Sequence, residues 1–178
     1  MHVLAQAYEI VREEGADCCL EAAGYIAPEQ RPYLEKIQKD LEEDGLYLQY
    51  HGALDRDQKI AYLQSLDVLS TPTVYADPKG IFVLEAMAGG VPFVQPRHGA
   101  FPEIARKTGG GMLFDPHDPR SLADALLEVI GNEELRSEMA RNAYNGVREH
   151  YRTDQMAAQT AAILQRLIKP QMAAVPAS

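Results

Sequence analysis

The chain has 178 residues, of which 46% are hydrophobic and 24% are charged, and its net charge at pH 7 is −9. This length suits a single domain that buries a core without disulfides or metals. The acidic balance argues against non-specific nucleic-acid binding, which depends on Lys and Arg side chains that neutralise phosphates. It is compatible with a small phosphorylated ligand, because backbone N–H groups can supply most of such a site.

Helices and strands are predicted to alternate along the chain. Helical spacing of apolar residues predicts helices that end at Gly15 and that cover 29–43, 55–65, 80–88, 120–130, 132–150 and 153–168, and Pro102 indicates the first turn of a further helix. Strands are predicted at 18–26, 46–50, 68–73, 91–95 and 112–114. Because runs such as 91–94 are apolar throughout, the pattern indicates a parallel sheet with helices on both faces, the α/β class.

We expect one Rossmann-like domain over residues 1–169 and a disordered tail over residues 170–178. The chain opens on a helix with no strand before it, so we expect that the first strand of the sheet is absent. A gap of that kind would leave an apolar seam that favours self-association. No apolar run approaches the ~20 residues of a membrane span, and Cys18 and Cys19 are interpreted as packing residues. Both features favour a cytoplasmic protein.

The most informative segment is D-P-K-G-I-F-V-L-E-A-M-A-G-G at 77–90, followed by V-P-F-V at 91–94. It places Asp77 in a loop, Gly80 where a helix begins, and Glu85 inside that helix. In a parallel sheet, loops after the strands lie at the carboxyl edge, where ligands bind. The segment therefore falls on the expected functional edge of the sheet.

A helix start at this edge predicts a site for a diphosphate. The first-turn N–H groups lack partners inside the helix, so they and the helix dipole contribute about 1–2 kcal/mol to anion binding. These donors belong to Ile81, Phe82 and Val83. Gly80 has no Cβ, so its backbone can approach a ligand closely.

Two carboxylates flank the helix start. Glu85 lies ~7–8 Å further along the helix axis at 1.5 Å per residue, and Asp77 lies on the other side of the start. Each carboxylate could hold vicinal hydroxyls, one pair on a ribose and the other on a sugar. The alternative is that Asp77 caps the helix and that Glu85 is a solvated carboxylate.

The chain resembles the C-terminal half of the GT-B-fold glycosyltransferases of family 4, the glycosyl transferases group 1. That family carries E-x-F-G-x-x-x-x-E-A-M-A followed by G-x-P-V-V, and residues 77–94 match this pattern with Asp in the first acidic position. H-G-A-F-P-E-I at 98–104 is similar to the family's G-G-x-P-E-I. T-G-G-G-M-L-F at 108–114 and H-G-A-L at 51–54 also resemble family segments. The resemblance covers nearly the whole chain to about residue 165.

This resemblance implies a role for each site residue. Glu85 would hold the ribose hydroxyls and Asp77 the donor hexose, and both are the predicted catalytic acids. Backbone groups of 80–83 would contact sugar and phosphate oxygens. The loop formed by Gly52, Ala53 and Leu54 would cover the base. The family's Arg and Lys that clamp the diphosphate precede the first helix, so Lys79 is a candidate to replace part of that clamp.

The resemblance also implies the reaction and the partners. The donor would be a UDP-, GDP- or ADP-hexose, used without a metal or other cofactor, and the hexose would be transferred with retention in the intact enzyme. An N-terminal acceptor domain would be the missing partner, and the full-length enzyme could be peripheral at a membrane. One alternative is a truncated, non-catalytic nucleotide-sugar-binding fragment. A glycoside hydrolase that uses Asp77 and Glu85 is a weaker alternative.

Overall fold

The computed structural model describes residues 1–168, so the predicted tail at 170–178 lies outside the described residues. The helices are α1 (His2–Glu13), α2 (Arg31–Glu43), α3 (Arg56–Ser65), α4 (Ile81–Ala88), α5 (Phe101–Thr108), α6 (Pro119–Gly131), α7 (Glu133–His150) and α8 (Thr153–Ile168). A short 3₁₀ helix at Pro28–Gln30 precedes α2. The strands are β1 (Leu20–Ala22), β2 (Leu48–Tyr50), β3 (Phe93–Pro96) and β4 (Gly111–Phe114).

The strands form two parallel pairs, which confirms the α/β class with parallel pairing. β1 pairs with β2, with Leu20 opposite Leu48, and β3 pairs with β4, with Phe93 opposite Gly111. Leu69 joins the second pair through a single parallel bridge to Phe93. One helix, α3, connects β2 to the segment at Leu69.

The observed strands are shorter than the sequence predicts. The strand expected over 18–26 is confined to Leu20–Ala22, because the backbone turns at Gly24, whose φ is +145°. The strand expected over 68–73 is reduced to the bridge at Leu69. Both shortened segments border the space that separates the two strand pairs.

The core lies on both faces of the strands. Val94 belongs to a buried cluster with residues of α1, α2 and α6, whereas its neighbour Phe93 belongs to a second cluster with residues of α4, α5 and α7. Adjacent strand residues point to opposite faces. The two clusters therefore cover opposite faces of strand β3, whose four residues are all buried.

Helix α3 begins with the cap that the sequence predicts. The Asp55 side chain accepts the N–H of Gln58 at 2.9 Å, and the Gln58 side chain accepts the N–H of Asp55 at 3.0 Å. This reciprocal pair is a capping box that fixes the start of α3. Among the described residues, no helix combines the length and the apolar character that a membrane span requires.

The two cysteines differ in their surroundings. Cys18 is half-buried and Cys19 is exposed, and both are free thiols. The interpretation of Cys19 as a packing residue is therefore wrong. It precedes the first residue of a three-residue strand that, among residues 1–168, has a neighbouring strand on one edge alone.

Candidate functional site

A cleft separates the two strand pairs and reaches the carboxyl edge of the sheet. We call it the inter-pair cleft; its volume is about 870 Å³, and Leu20–Ala22 and residues 66–72 form its walls. At the carboxyl edge it is lined by Gly24, Ala53, Leu54, Lys59, Phe82 and Glu85. The cleft therefore brings four of the ten predicted site residues, Ala53, Leu54, Phe82 and Glu85, to one opening.

Gly80 begins α4 in the left-handed region, with φ of +60°. A Cβ at this position would lie 3.1 Å from Cδ1 of Ile104 and 3.1 Å from Cε1 of Phe101. The glycine is thus required by its backbone conformation and by its packing against α5. A side chain here would point toward α5 in the core, and the close approach of the Gly80 backbone to a ligand stays a prediction.

The first turn of α4 offers two N–H groups, not three. The N–H of Val83 donates to the carbonyl of Gly80 at 3.0 Å, and the Val83 side chain is completely buried. The prediction that Val83 supplies a free donor is therefore wrong, because the tight turn at Gly80 uses that donor. The N–H groups of Ile81 and Phe82 have no partner among the described residues.

Asp77 caps the turn that leads into α4. Its Oδ1 accepts the N–H of Lys79 at 2.9 Å and the N–H of Gly80 at 2.5 Å. Its carbonyl accepts the N–H of Ala100 at 2.8 Å, and the neighbouring Gly99 leaves no room for a Cβ, which would lie 2.4 Å from that carbonyl oxygen. Asp77 is therefore held firmly, while its Oδ2 has no partner among the described residues.

Glu85 forms an ion pair that the sequence reasoning missed. Its Oε1 lies 2.6 Å from Nζ of Lys59 on α3, and the two side chains are 39% and 44% exposed. Lys59 stands near the positive end of α3, where a cation is unfavourable unless a carboxylate compensates. That placement was the one signal in the sequence that could have indicated a partner.

The loop predicted to cover the base lies beside β1. Gly52 has φ of +73°, and its carbonyl accepts the N–H of Gly24 at 2.8 Å, so the loops after β1 and β2 are joined. Ala53 and Leu54 follow at the mouth of the cleft.

Below this loop, Nε2 of His51 lies 2.7 Å from Oε2 of Glu21, and the His51 ring lies 5.3 Å from the ring of Tyr62. Burial, with a smaller effect from the Glu21 charge, raises the pKa of Tyr62 to about 12. Tyr62 therefore stays a neutral hydroxyl beside the cleft.

Buried polar atoms without partners cluster where the chain leaves Leu69. Ser70 Oγ, Thr73 Oγ1 and His98 Nδ1 are buried and have no hydrogen-bond partner within residues 1–168. Nε2 of His98 meets the carbonyl of Thr73 at 3.0 Å. The Gln95 amide, oriented to satisfy both of its ends, donates to the carbonyl of Thr71 at 2.8 Å and accepts its N–H at 3.1 Å.

The remaining predicted residues lie outside the opening. Lys79 is exposed on the turn before α4, and Ile81 is 56% exposed on the first turn of that helix. The roles assigned to Asp77, Glu85, Lys79 and the glycine loop remain predictions. In the described part of the chain, no three His, Cys, Asp or Glu residues stand close enough together to hold a metal ion.

Residues 1–146 match the family model described as glycosyl transferases group 1. The chain belongs to the glycosyl transferases group 1 family. Its fold is that of the C-terminal domain of a GT-B glycosyltransferase, as the sequence resemblance predicts. It superposes with a TM-score of 0.76 on the C-terminal domain of a glycosyl transferase group 1 family protein, LpcC, from Francisella tularensis, at 23% identity over 85% of this chain and 78% of that one.

The chain is also similar to other proteins, over shorter segments of its own length or smaller shares of theirs. Anabaena Alr3699/HepE, solved in complex with UDP and glucose, gives a TM-score of 0.81 at 18% identity over 93% of this chain and 44% of that one. A probable sucrose-phosphate synthase from Vicia faba is 36% identical over 41% of this chain, and a phosphatidyl-myo-inositol mannosyltransferase from Mycobacterium leprae is 32% identical over 58%. The chain spans 7% and 28% of the lengths of these two relatives.

Proposed function

We propose that this glycosyl transferase group 1 chain is a donor-binding domain that holds a nucleotide-diphosphate hexose at the carboxyl edge of the inter-pair cleft. One observation carries the proposal. Glu85 and the free N–H groups of Ile81 and Phe82 stand on one short helix, beside a cleft that Ala53 and Leu54 also line. The solved relative HepE, which is similar in fold, has been seen with UDP and with UDP-glucose, and this supports a nucleotide-sugar as the ligand.

In the proposed complex each group meets one part of the donor. The diphosphate lies at the start of α4, where the N–H groups of Ile81 and Phe82 and the helix dipole favour negative charge. Glu85 accepts hydrogen bonds from ribose hydroxyls, and the base lies against the loop of Gly52, Ala53 and Leu54. Oδ2 of Asp77, which the capping contacts leave unpaired, accepts from a hexose hydroxyl.

Lys59 is the cation that we assign to this site. Its ammonium stands 2.6 Å from the Glu85 carboxylate, so it holds that side chain at the mouth of the cleft. Once ribose hydroxyls compete for Glu85, Lys59 can also face the diphosphate. Lys79, exposed on the turn beside the first helical residue, can approach the same phosphates from outside.

The reaction that we propose belongs to the intact enzyme. There the domain would position the donor and stabilise the departing diphosphate while the hexose passes to an acceptor with retention of configuration. We propose no metal and no other cofactor, and a cytoplasmic location. An acceptor-binding domain is the partner that this reaction requires.

Nucleotide binding tests the proposal directly. The unfolding midpoint should rise on titration with one of UDP, GDP and ADP or its hexose conjugate, since a ligand at 100 times its Kd stabilises by about 2.7 kcal/mol. Glu85→Gln removes the charge that holds the ribose and should weaken binding roughly tenfold. Glu103→Gln is the matched control, because Glu103 pairs with Lys107 on α5 and does not line the cleft.

If neither the nucleotides nor their conjugates shift the midpoint, the proposal fails. Equal losses of binding in the two variants would also contradict it. The effect would then come from the overall charge of the protein and not from contact with the ribose.

A binding domain without turnover of its own is the second candidate. One observation favours it: in the described residues, the cations at the α4 start are Lys59, already paired with Glu85, and the exposed Lys79. Such a domain would bind the donor but release no free nucleotide diphosphate from it. A coupled assay for UDP, GDP or ADP, run at donor concentrations that saturate the midpoint shift, separates binding from turnover.

A further inference from the structure

The aromatic ring of Tyr25 is exposed at the mouth of the inter-pair cleft. The residue is 77% exposed, and it lines the same cleft as Ala53, Leu54 and Glu85. An aromatic ring with one polar end is a common contact at binding surfaces, because it offers apolar area and tolerates water. Within residues 1–168, other exposed tyrosines do not line the cleft, namely Tyr33, Tyr47, Tyr75 and Tyr144.

The loop that carries Tyr25 is held by two hydrogen bonds at the preceding residue. The N–H of Gly24 donates to the carbonyl of Gly52 at 2.8 Å, and the hydroxyl of Tyr50 donates to the carbonyl of Gly24. Both polar groups of the Gly24 backbone are therefore used, so the position of the Tyr25 backbone is set before a ligand binds. A preorganised side chain loses less conformational entropy when it contacts a ligand.

The proposed course of the nucleotide leads toward this loop. In that complex the diphosphate lies at the start of α4 and the ribose lies at Glu85. The base and the diphosphate leave the ribose from opposite ends, so the base extends away from the helix start. Tyr25 directly follows Gly24, and Ala53 directly follows Gly52, so the hydrogen bond between the two glycines brings both residues to one side of the opening.

Other rings that line the cleft already pack against aromatic neighbours. The ring of Phe82 meets the ring of Phe101 in an edge-on arrangement, with 5.9 Å between their centroids. The ring of Tyr62 lies 5.3 Å from the ring of His51. Tyr25 takes part in no such ring contact within the described residues, so its face is open to a flat ligand.

We propose that Tyr25 stacks on the base of the bound nucleotide and is a binding residue of the donor site. This inference rests on the proposed function, because it takes the ligand to be a nucleotide-diphosphate hexose. Stacking of a base on an aromatic side chain accepts every base, since each base has a π-face, and it strengthens binding roughly tenfold or more. Tyr25 therefore favours a nucleotide over a base-free phosphosugar without selecting among uracil, guanine and adenine.

Calorimetric titration of variants tests the contact. The ligands are the one of UDP, GDP and ADP that raises the unfolding midpoint most, and ribose 5-diphosphate, which lacks the base. Tyr25→Ser should weaken nucleotide binding roughly tenfold or more and leave the binding of ribose 5-diphosphate unchanged. Tyr25→Phe keeps the ring and should bind the nucleotide as the unmodified chain does. Tyr47→Ser is the matched control, because Tyr47 is 69% exposed and does not line the cleft.

A spectroscopic measurement separates stacking from an indirect effect on the loop. In protein labelled with 3-fluorotyrosine, the fluorine resonance of Tyr25 is identified by its absence from the Tyr25→Phe variant. The ring current of a stacked base should shift this resonance when the nucleotide is added, whereas ribose 5-diphosphate should not shift it. A Tyr25 resonance that stays unshifted in the nucleotide complex would overturn the proposal.

The outcomes distinguish this inference from the proposed function. If the nucleotide binds the unmodified chain and Tyr25→Ser equally well, Tyr25 does not hold the base, and the donor site stands without it. Equal losses for the nucleotide and for ribose 5-diphosphate would overturn the inference, because Tyr25 would then act on the ribose or diphosphate part. Equal losses in Tyr25→Ser and Tyr47→Ser would overturn it too. If no nucleotide binds the unmodified chain, the inference and the proposed function both fail.

Discussion

The two strand pairs differ in how completely their strands are buried. All four residues of β3 are buried, because β3 has β4 on one edge and Leu69 on the other. In β1 one residue of three is buried, because β1 has β2 on one edge and the cleft on the other. Burial of a strand here follows from its neighbours more than from its composition. The candidate site includes residues from the regions of both strand pairs.

The largest expected difference between the pairs is in the free energy of unfolding. Phe93→Ala should lower it by about 3–5 kcal/mol, because the ring is completely buried and its loss leaves a closed cavity. Leu20→Ala should lower it by about 1.5–2 kcal/mol, because Leu20 already borders the cleft and its loss creates no new closed cavity. Urea denaturation of both variants measures the difference. Equal losses would show that the β1 pair is packed as completely as the β3 pair.

The next effect concerns the loop that holds Asp77. Gly99→Ala should lower the free energy of unfolding by about 2–4 kcal/mol, because it adds a left-handed alanine and a Cβ 2.4 Å from the Asp77 carbonyl oxygen. Gly90→Ala is the matched control, because Gly90 has φ of +83° and no atom would lie within 4 Å of its Cβ. It should lower the free energy of unfolding by about 1–2 kcal/mol. Denaturation curves give both values. If both variants lower the free energy of unfolding equally, a Cβ at position 99 does not clash with the carbonyl of Asp77.

A smaller effect is expected for the ion pair that links α3 to α4. Lys59→Met should lower the free energy of unfolding by about 0–1 kcal/mol, since half-exposed pairs gain little in water, and high salt should reduce the loss further. Lys36→Met is the control, because Lys36 pairs with Asp40 within α2 alone. A loss well above that of the control at low salt, which disappears at high salt, would show that the pair ties the two regions together.

The smallest effect is chemical and concerns Cys18 beside β1. Burial raises the pKa of the Cys18 thiol, and the nearby Arg12 offsets only part of that rise. Because the thiolate is the reactive form, alkylation in a Cys19→Ser variant should reach half its maximal rate at a higher pH than for a free thiol. The pH profile of iodoacetamide labelling measures this midpoint. An ordinary midpoint would mean that water reaches Cys18 freely.

The helices and their starts could be predicted from the sequence because their signals are local. Asp55 and Gln58 lie three residues apart, so the capping box that begins α3 is visible in the chain itself. The fold class and the position of α4 at the sheet edge followed from the same kind of pattern. The strand lengths did not, because a strand at Leu69 needs partners on both edges, and pairing joins residues far apart in sequence.

The sequence predicts where the residues of the candidate site lie, but it does not predict the contacts that they make. The sequence placed Glu85 on the correct helix, yet Lys59, its partner, lies 26 residues away on another helix. The free N–H of Val83 was predicted from the general rule for helix starts, and the tight turn at Gly80 removed it. Contacts that depend on how two elements meet cannot be obtained from either segment alone.

Gln95 acts as a substitute for a peptide group at the end of the sheet. Its buried amide meets both backbone groups of Thr71, as a neighbouring strand would, although the ladder at Leu69 has ended. The segment at Thr71, which leads into the loop that carries Asp77, is therefore held by a side chain where the strand ladder has ended. A substitution at Gln95 could shift that loop while the strands keep their register. The position of the loop that carries Asp77 can therefore change in evolution without a change in the sheet.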